Sequence, residues 1–109
     1  MSGQLVHAGN VVWKYALPID DRVTVDMPHG SRVIHVDKQV WDVHGTFCLW
    51  VLVNPESPLM RYTFALVDTG SPMDGLAGWV HEGSWQDGSW RDGGDVWHCF
   101  RDPHVEVIS

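Results

Sequence analysis

Apolar and polar residues alternate with a period of two along most of this chain, and each alternating stretch is closed by proline, glycine or paired aspartates. From Val11 to Ala16, Trp13 and Tyr15 fall on one side and Val12, Lys14 and Ala16 on the other, which predicts a strand that Pro18 and Asp20-Asp21 bring to an end. Arg22 to Met27 sets Val23, Val25 and Met27 against Thr24 and Asp26, and Pro28-His29-Gly30 supplies the next turn. Arg32 to Lys38 predicts a third strand, with Ile34 and Val36 facing away from His35 and Asp37. Thr46 to Val53 breaks the alternation: T-F-C-L-W-V-L-V is nearly all apolar, β-branched or aromatic, so it predicts a central strand buried on both faces. After the turn Asn54-Pro55-Glu56-Ser57-Pro58, Arg61 to Asp68 returns with Tyr62, Phe64, Leu66 and Asp68 on one face, and the two strands are expected to pair as a hairpin.

Beyond Gly70 the pattern changes. Glycine rises, Trp79, Trp85, Trp90 and Trp97 cluster, and the turn signals Asp87-Gly88 and Asp92-Gly93-Gly94 follow each other closely, predicting two or three further short strands that end in Asp95 to Phe100. Met73 to Val80 has room for a turn of helix at most. The expected fold is mainly β, a small antiparallel sheet sandwich or open barrel of about seven short strands. One β-rich domain is expected over residues 1–109, with residues 1–10 a loose N-terminal tail and 101–109 a C-terminal tail.

The 44% hydrophobic content is spread over runs too short for a membrane helix, and Met1 to Asn10 shows no basic region leading into an apolar stretch. A soluble, cytoplasmic protein without a membrane partner is therefore expected. Cys48 and Cys99 lie in apolar runs, where a buried thiol is the commoner outcome, while a disulfide between them stays open. The formal charge is -7, and residues 55–109 hold nine acidic groups against three basic ones, which disfavours direct nucleic-acid binding. A pocket for a small nucleotide remains compatible with that charge, since it needs only one or two cations and backbone N–H groups.

The sharpest local motif is the apolar strand running into Asp68-Thr69-Gly70-Ser71, the D-T-G-S of aspartic proteases, in which two aspartates share a proton across a symmetry axis. A dimer would be required to supply the second aspartate. The motif comes late, however, and Leu76-Ala77-Gly78 follows too soon to be the second strand of such an enzyme, so a strand ending in a glycine turn is the preferred reading. The seven histidines form no H-x-H or H-E-x-x-H pair, and His98 and Cys99 should point to opposite faces of a strand, so no metal site is expected. Ser71, Ser84 and Ser89 lack a G-x-S-x-G context, and no glycine loop precedes a helix or lysine, so neither a hydrolase triad nor a phosphate loop is expected.

Seven tryptophans in 109 residues are the remaining feature. Trp13, Trp50 and Trp97 sit in apolar alternating strands and are expected in the core. Trp79, Trp85 and Trp90 lie among Gly, Ser, Asp and His, where one core accommodates them less readily and where stacking on a ligand becomes a use for them. The candidate ligand-binding residues are therefore Trp79, His81, Trp85, Trp90 and His98, with no catalytic residue and no cofactor.

Taken together, Val12-Trp13-Lys14-Tyr15 with Leu17-Pro18-Ile19, Val23 to Gly30, Cys48 to Val53 with Pro55, Thr69-Gly70 with Pro72, and Val96-Trp97-His98-Cys99-Phe100 resemble a family of short uncharacterised phage and bacterial proteins, a domain of unknown function. Members of that family read G-T-G-H-P where this chain has Asp68-Thr69-Gly70-Ser71-Pro72, so the resemblance does not carry the aspartate. The chain also departs from it at Asp37 to Gly45 and from Trp79 to Gly94. The resemblance implies a small β-rich protein of phage or prophage origin and transfers no active site. The leading expectation is a non-enzymatic, homo-oligomeric counter-defence protein that sequesters a small nucleotide-type host signal. The alternatives are an acidic inhibitor of a host nucleic-acid-binding defence complex and a dimeric aspartic protease.

Overall fold

The computed structural model describes residues 10–38, 45–86 and 95–108. Eight strands occupy most of them: β1 (Val11–Pro18), β2 (Arg22–Pro28), β3 (Arg32–Asp37), β4 (Thr46–Val53), β5 (Leu59–Asp68), β6 (Val80–Gln86), β7 (Val96–Arg101) and β8 (Glu106–Val107). There is no helix among the described residues, and the segment from Met73 to Val80 that had room for one forms turns before entering β6. The strands make two antiparallel sheets, one ordered β1-β4-β3 and the other β2-β5-β7-β6, with β8 added to β5. The expected all-β antiparallel class is observed, as two sheets that do not close into a barrel.

The core lies between the sheets. Leu17, Val36, Phe47, Leu49, Val51 and Val53 come from the first, and Val23, Met27, Tyr62, Phe64, Leu66, Trp85 and Cys99 from the second. Alternation explains this division, since residues two apart on β4 and on β5 line one face of their strand. It also explains why the hairpin expected between β4 and β5 does not form. Instead β4 pairs with β1 and β3, and β5 with β2, β7 and β8. A flat hairpin would set the apolar faces of β4 and β5 side by side, each still in need of cover. The arch through Asn54–Pro58 sets them face to face, so each buries the other. The chain likewise changes sheet between β1 and β2 and again between β2 and β3.

Three further expectations are corrected. Trp13 is 40% exposed at the β1 edge of the first sheet rather than in the core. Trp50 is half-buried on that sheet's outer face, with the His35 ring 5.1 Å away. Residues 101–109, expected as a tail, contain β8, which pairs Met60 with Val107 and Arg61 with Glu106. Cys48 and Cys99 are both buried, one in each sheet, and no disulfide joins them. Burial in apolar surroundings, with the Glu82 carboxylate adding to it, pushes the Cys99 thiol up to about 12, so it stays protonated and unreactive at neutral pH.

On one side the sheets approach so closely that a side chain would not fit. A Cβ on Gly83 of β6 would lie 2.9 Å from the Cβ and 3.0 Å from a methyl of Val36 on β3. Because the nearest atom is a Cβ rather than the end of a flexible chain, the backbone itself would have to move. Gly83→Ala is expected to lose about 1–3 kcal/mol in urea denaturation, and an unchanged midpoint would show that β3 and β6 are not held this tightly.

Candidate functional site

A β-bulge decides which residues of β6 meet on the outer face of the larger sheet. His81 is opposite Phe100 and Gly83 opposite Cys99, so the register shifts across Glu82, after which Ser84 is opposite His98 and Trp85 opposite Trp97. An unbroken strand would put His81 and Ser84 on opposite faces. The extra residue resets the alternation and brings them to the same one. His98 on β7 and Thr69, just past the end of β5, join them from the neighbouring chain segments.

These four side chains form one hydrogen-bonded chain. Thr69 Oγ1 lies 3.2 Å from the Val96 carbonyl, His98 Nε2 lies 2.9 Å from Thr69 Oγ1, Ser84 Oγ is 2.7 Å from His98 Nδ1, and His81 Nε2 is 3.0 Å from Ser84 Oγ. A carbonyl can only accept, so Thr69 donates to Val96 and must accept from His98 Nε2–H. His98 Nδ1 is then the acceptor of the Ser84 proton, and Ser84 accepts from His81 Nε2–H. One neutral tautomer of each imidazole satisfies the whole series.

Beside this chain lies an aromatic surface. The Phe100 ring meets His81 edge-on at 5.2 Å, and the two imidazoles are 6.0 Å apart. Phe100 and Trp79 are both half-buried against a small cluster of Ala65, Val67 and Leu76 on the same face. The Arg22 guanidinium sits 5.2 Å from the centre of the Trp79 ring, a cation over an aromatic face. Trp79, His81 and His98 of the expected set are thus brought to one side of the sheet. Trp85 is not: it is 4% exposed and turned inward, stacked on Phe47 at 5.1 Å and on Trp97 at 6.4 Å. Its place in the core corrects the expectation of a ligand surface there, since the bulge that turns Ser84 out turns Trp85 in. Trp90 lies outside the described residues. Sequence reasoning missed Ser84, Thr69, Phe100 and Arg22, because only the bulge and the register bring them together.

The arrangement differs from a nucleophilic triad. Ser84 does point its proton at an imidazole nitrogen, but Thr69 stands behind His98 where a triad has a carboxylate to stabilise the imidazolium. No grouping of three or more His, Cys, Asp or Glu side chains suited to a metal occurs among the described residues. Asp68, the aspartate of the protease-like motif, accepts a hydrogen bond from the hydroxyl of Ser71 in the turn that ends β5, where Gly70 has a φ of 98°. Leu76-Ala77-Gly78 lies in turns, not in a strand. Asp68 also borders a cleft of about 560 Å³ that Asp21, Asp74, Arg22 and Trp97 help to line.

A family model described as a domain of unknown function (DUF7352) matches residues 8–108. The chain belongs to this family. The DUF7352 match begins ahead of β1 and runs past β8, so it takes in both sheets and all four members of the hydrogen-bonded chain. No curated protein and no solved structure matches the chain.

Proposed function

We propose that this protein is a non-enzymatic binder of phage type that counters a host defence by sequestering a small nucleotide-type signal on the outer face of its larger sheet. The observation that supports this is the juxtaposition of the His81-Ser84-His98-Thr69 chain with the rings of Phe100 and Trp79. A nucleobase needs a flat apolar surface to stack on and a few fixed donors and acceptors to be read by, and the two aromatic rings with the ordered imidazoles supply both. Arg22, above Trp79, adds a cation within reach of a phosphate. Self-association belongs to the same proposal, because β1 is an eight-residue edge strand on which Val11, Val12 and Trp13 are exposed. The phage or prophage origin rests on the resemblance of the sequence strings alone.

The test is thermal shift of the purified protein against a panel of cyclic and ADP-ribose-type nucleotides. A ligand at a hundredfold excess over its dissociation constant should add about 2.7 kcal/mol of apparent stability. His98→Ala should remove that gain, measured against the variant's own unliganded melt. No shift with any nucleotide would refute the proposal.

One observation favours a second reading, the acidic inhibitor of a host nucleic-acid-binding complex: Asp21, Asp68 and Asp74 gather at one cleft and could stand in for phosphates. That reading expects capture of a host protein that weakens steeply as salt rises, whereas a stacked ligand should respond much less.

A further inference from the structure

At the end of the sandwich away from the Asp68 turn lies a second cleft, of about 460 Å³, and its chemistry is the reverse of the first. Its lining is His29, Gly30, Ser31, Arg32, Met60, Tyr62, Arg101 and Val105, with no carboxylate among them. These residues come from the β2–β3 turn, the starts of β3 and β5, the end of β7 and the segment before β8, so the fold assembles the cleft from distant parts of the chain. In a protein with a formal charge of -7, two arginines and a histidine turned to one cavity call for an explanation.

The state of each cation adds to this. Arg101 is oriented by Glu82, which accepts from its Nε at 3.0 Å and so occupies one of the five N–H donors of the guanidinium. The Arg32 guanidinium and the His29 imidazole make no hydrogen bond or ion pair with any described residue. Arg22 and Arg61, outside this cleft, are engaged, the first with the Asp21 carbonyl and the second with Asp26 at 3.3 Å. The polar floor is already fixed, because the Pro28 carbonyl accepts from both the Ser31 hydroxyl at 2.6 Å and the Tyr62 hydroxyl at 3.2 Å. Preset hydroxyls, one anchored guanidinium and one unengaged guanidinium make a cationic cleft with little left to reorganise on binding.

We propose that this cleft is a binding site for a phosphate-class oxyanion, with Arg32, Arg101 and His29 as its donors. Arginine matches such a group because two parallel N–H bonds meet two of its oxygens. The volume exceeds what a bare oxyanion fills, and Met60 and Val105 give the cleft an apolar wall, so a phosphomonoester carrying a small organic group fits it better than inorganic phosphate alone. The site stands apart from the outer-face aromatic surface and does not depend on what that surface binds.

The experiment is isothermal titration of the whole protein with inorganic phosphate and with n-butyl phosphate, a monoester without a nucleobase for the outer face to stack on, ionic strength being held constant with sodium chloride. Saturable binding of both is expected, tighter for the monophosphate ester. Arg32→Gln should weaken each about tenfold or more, as loss of a charge-assisted hydrogen bond does. Arg61→Gln, an exposed arginine outside the cleft that pairs with Asp26, should bind as the unaltered protein does. Equal tightness for the two ligands would overturn the assignment of the apolar wall. Absence of saturable binding, or unchanged binding by Arg32→Gln, would overturn the site.

Discussion

Trp85→Ala is expected to destabilise the fold by about 3–5 kcal/mol, the range for removing a large aromatic from a packed core. Its ring lies nearly parallel to that of Phe47, with 8° between the planes, and stacks on Trp97 on its other contact, so it joins β4 of one sheet to β6 and β7 of the other. Truncation would leave a cavity between the sheets that neither neighbour can fill without leaving its own strand. The same residue offers an internal control. Its indole N–H is buried and has no hydrogen-bond partner among the described residues, and such an orphaned donor costs about 1–3 kcal/mol in desolvation. Trp85→Phe gives up some area but also removes that donor, so its net cost should be well below that of the alanine variant. Urea denaturation of both variants checks the pair of expectations. Equal losses would mean that a phenyl ring at this position cannot keep the contacts with Phe47 and Trp97, and no loss from Trp85→Ala would mean that the intersheet stack is not formed.

Glu82→Ala is the second large effect. Glu82 is the bulge residue of β6, its side chain only 13% exposed, and it accepts from Arg101 Nε, whose side chain is 25% exposed. Removing the carboxylate leaves a guanidinium largely buried without its counter-charge, and breaking a wholly buried pair in this way costs about 3–5 kcal/mol. A quarter of the Arg101 side chain still meets solvent, so a loss of about 2–4 kcal/mol is expected. The double variant Glu82→Gln with Arg101→Met should lose less than Glu82→Ala alone, because no unpaired charge remains. A double-mutant cycle by chemical denaturation reads the coupling, and purely additive losses would show that the two side chains act independently. The expected effect also ties the anion cleft to the fold, since the guanidinium that Glu82 anchors lines that cleft.

Much of the fold was legible in the sequence because burial in a sheet repeats every two residues. The alternations at 11–16, 22–27, 32–38 and 61–68 and the apolar run at 46–53 each contain or overlap an observed strand, and the proline and glycine turns fall between them. The candidate site was legible only in part. His81, His98 and Trp79 could be picked out by type and by their polar surroundings, but which of them share a face depended on the single extra residue at Glu82. Strict alternation puts His81 with Trp85 and apart from Ser84, and the bulge reverses both relations. The basic cleft had no sequence signal at all: His29, Arg32 and Arg101 are isolated residues in a chain whose overall charge points the other way.

The sequence by itself determined that this chain folds as antiparallel β structure and where most strands lie, since local periodicity and turn chemistry suffice for these. Pairing was decided by the tertiary structure. Two apolar strand faces joined by a short turn can lie side by side or face to face, and only the need of each to be covered selects the arch from β4 to β5. The excess of tryptophan, the sequence's most conspicuous feature, was divided in the same way, with Trp85 inside the core and Trp79 on the outer face beside the imidazoles. Composition cannot make that division, because it depends on the register of β6 against β7 and on the closeness of β6 to β3, where only a glycine fits.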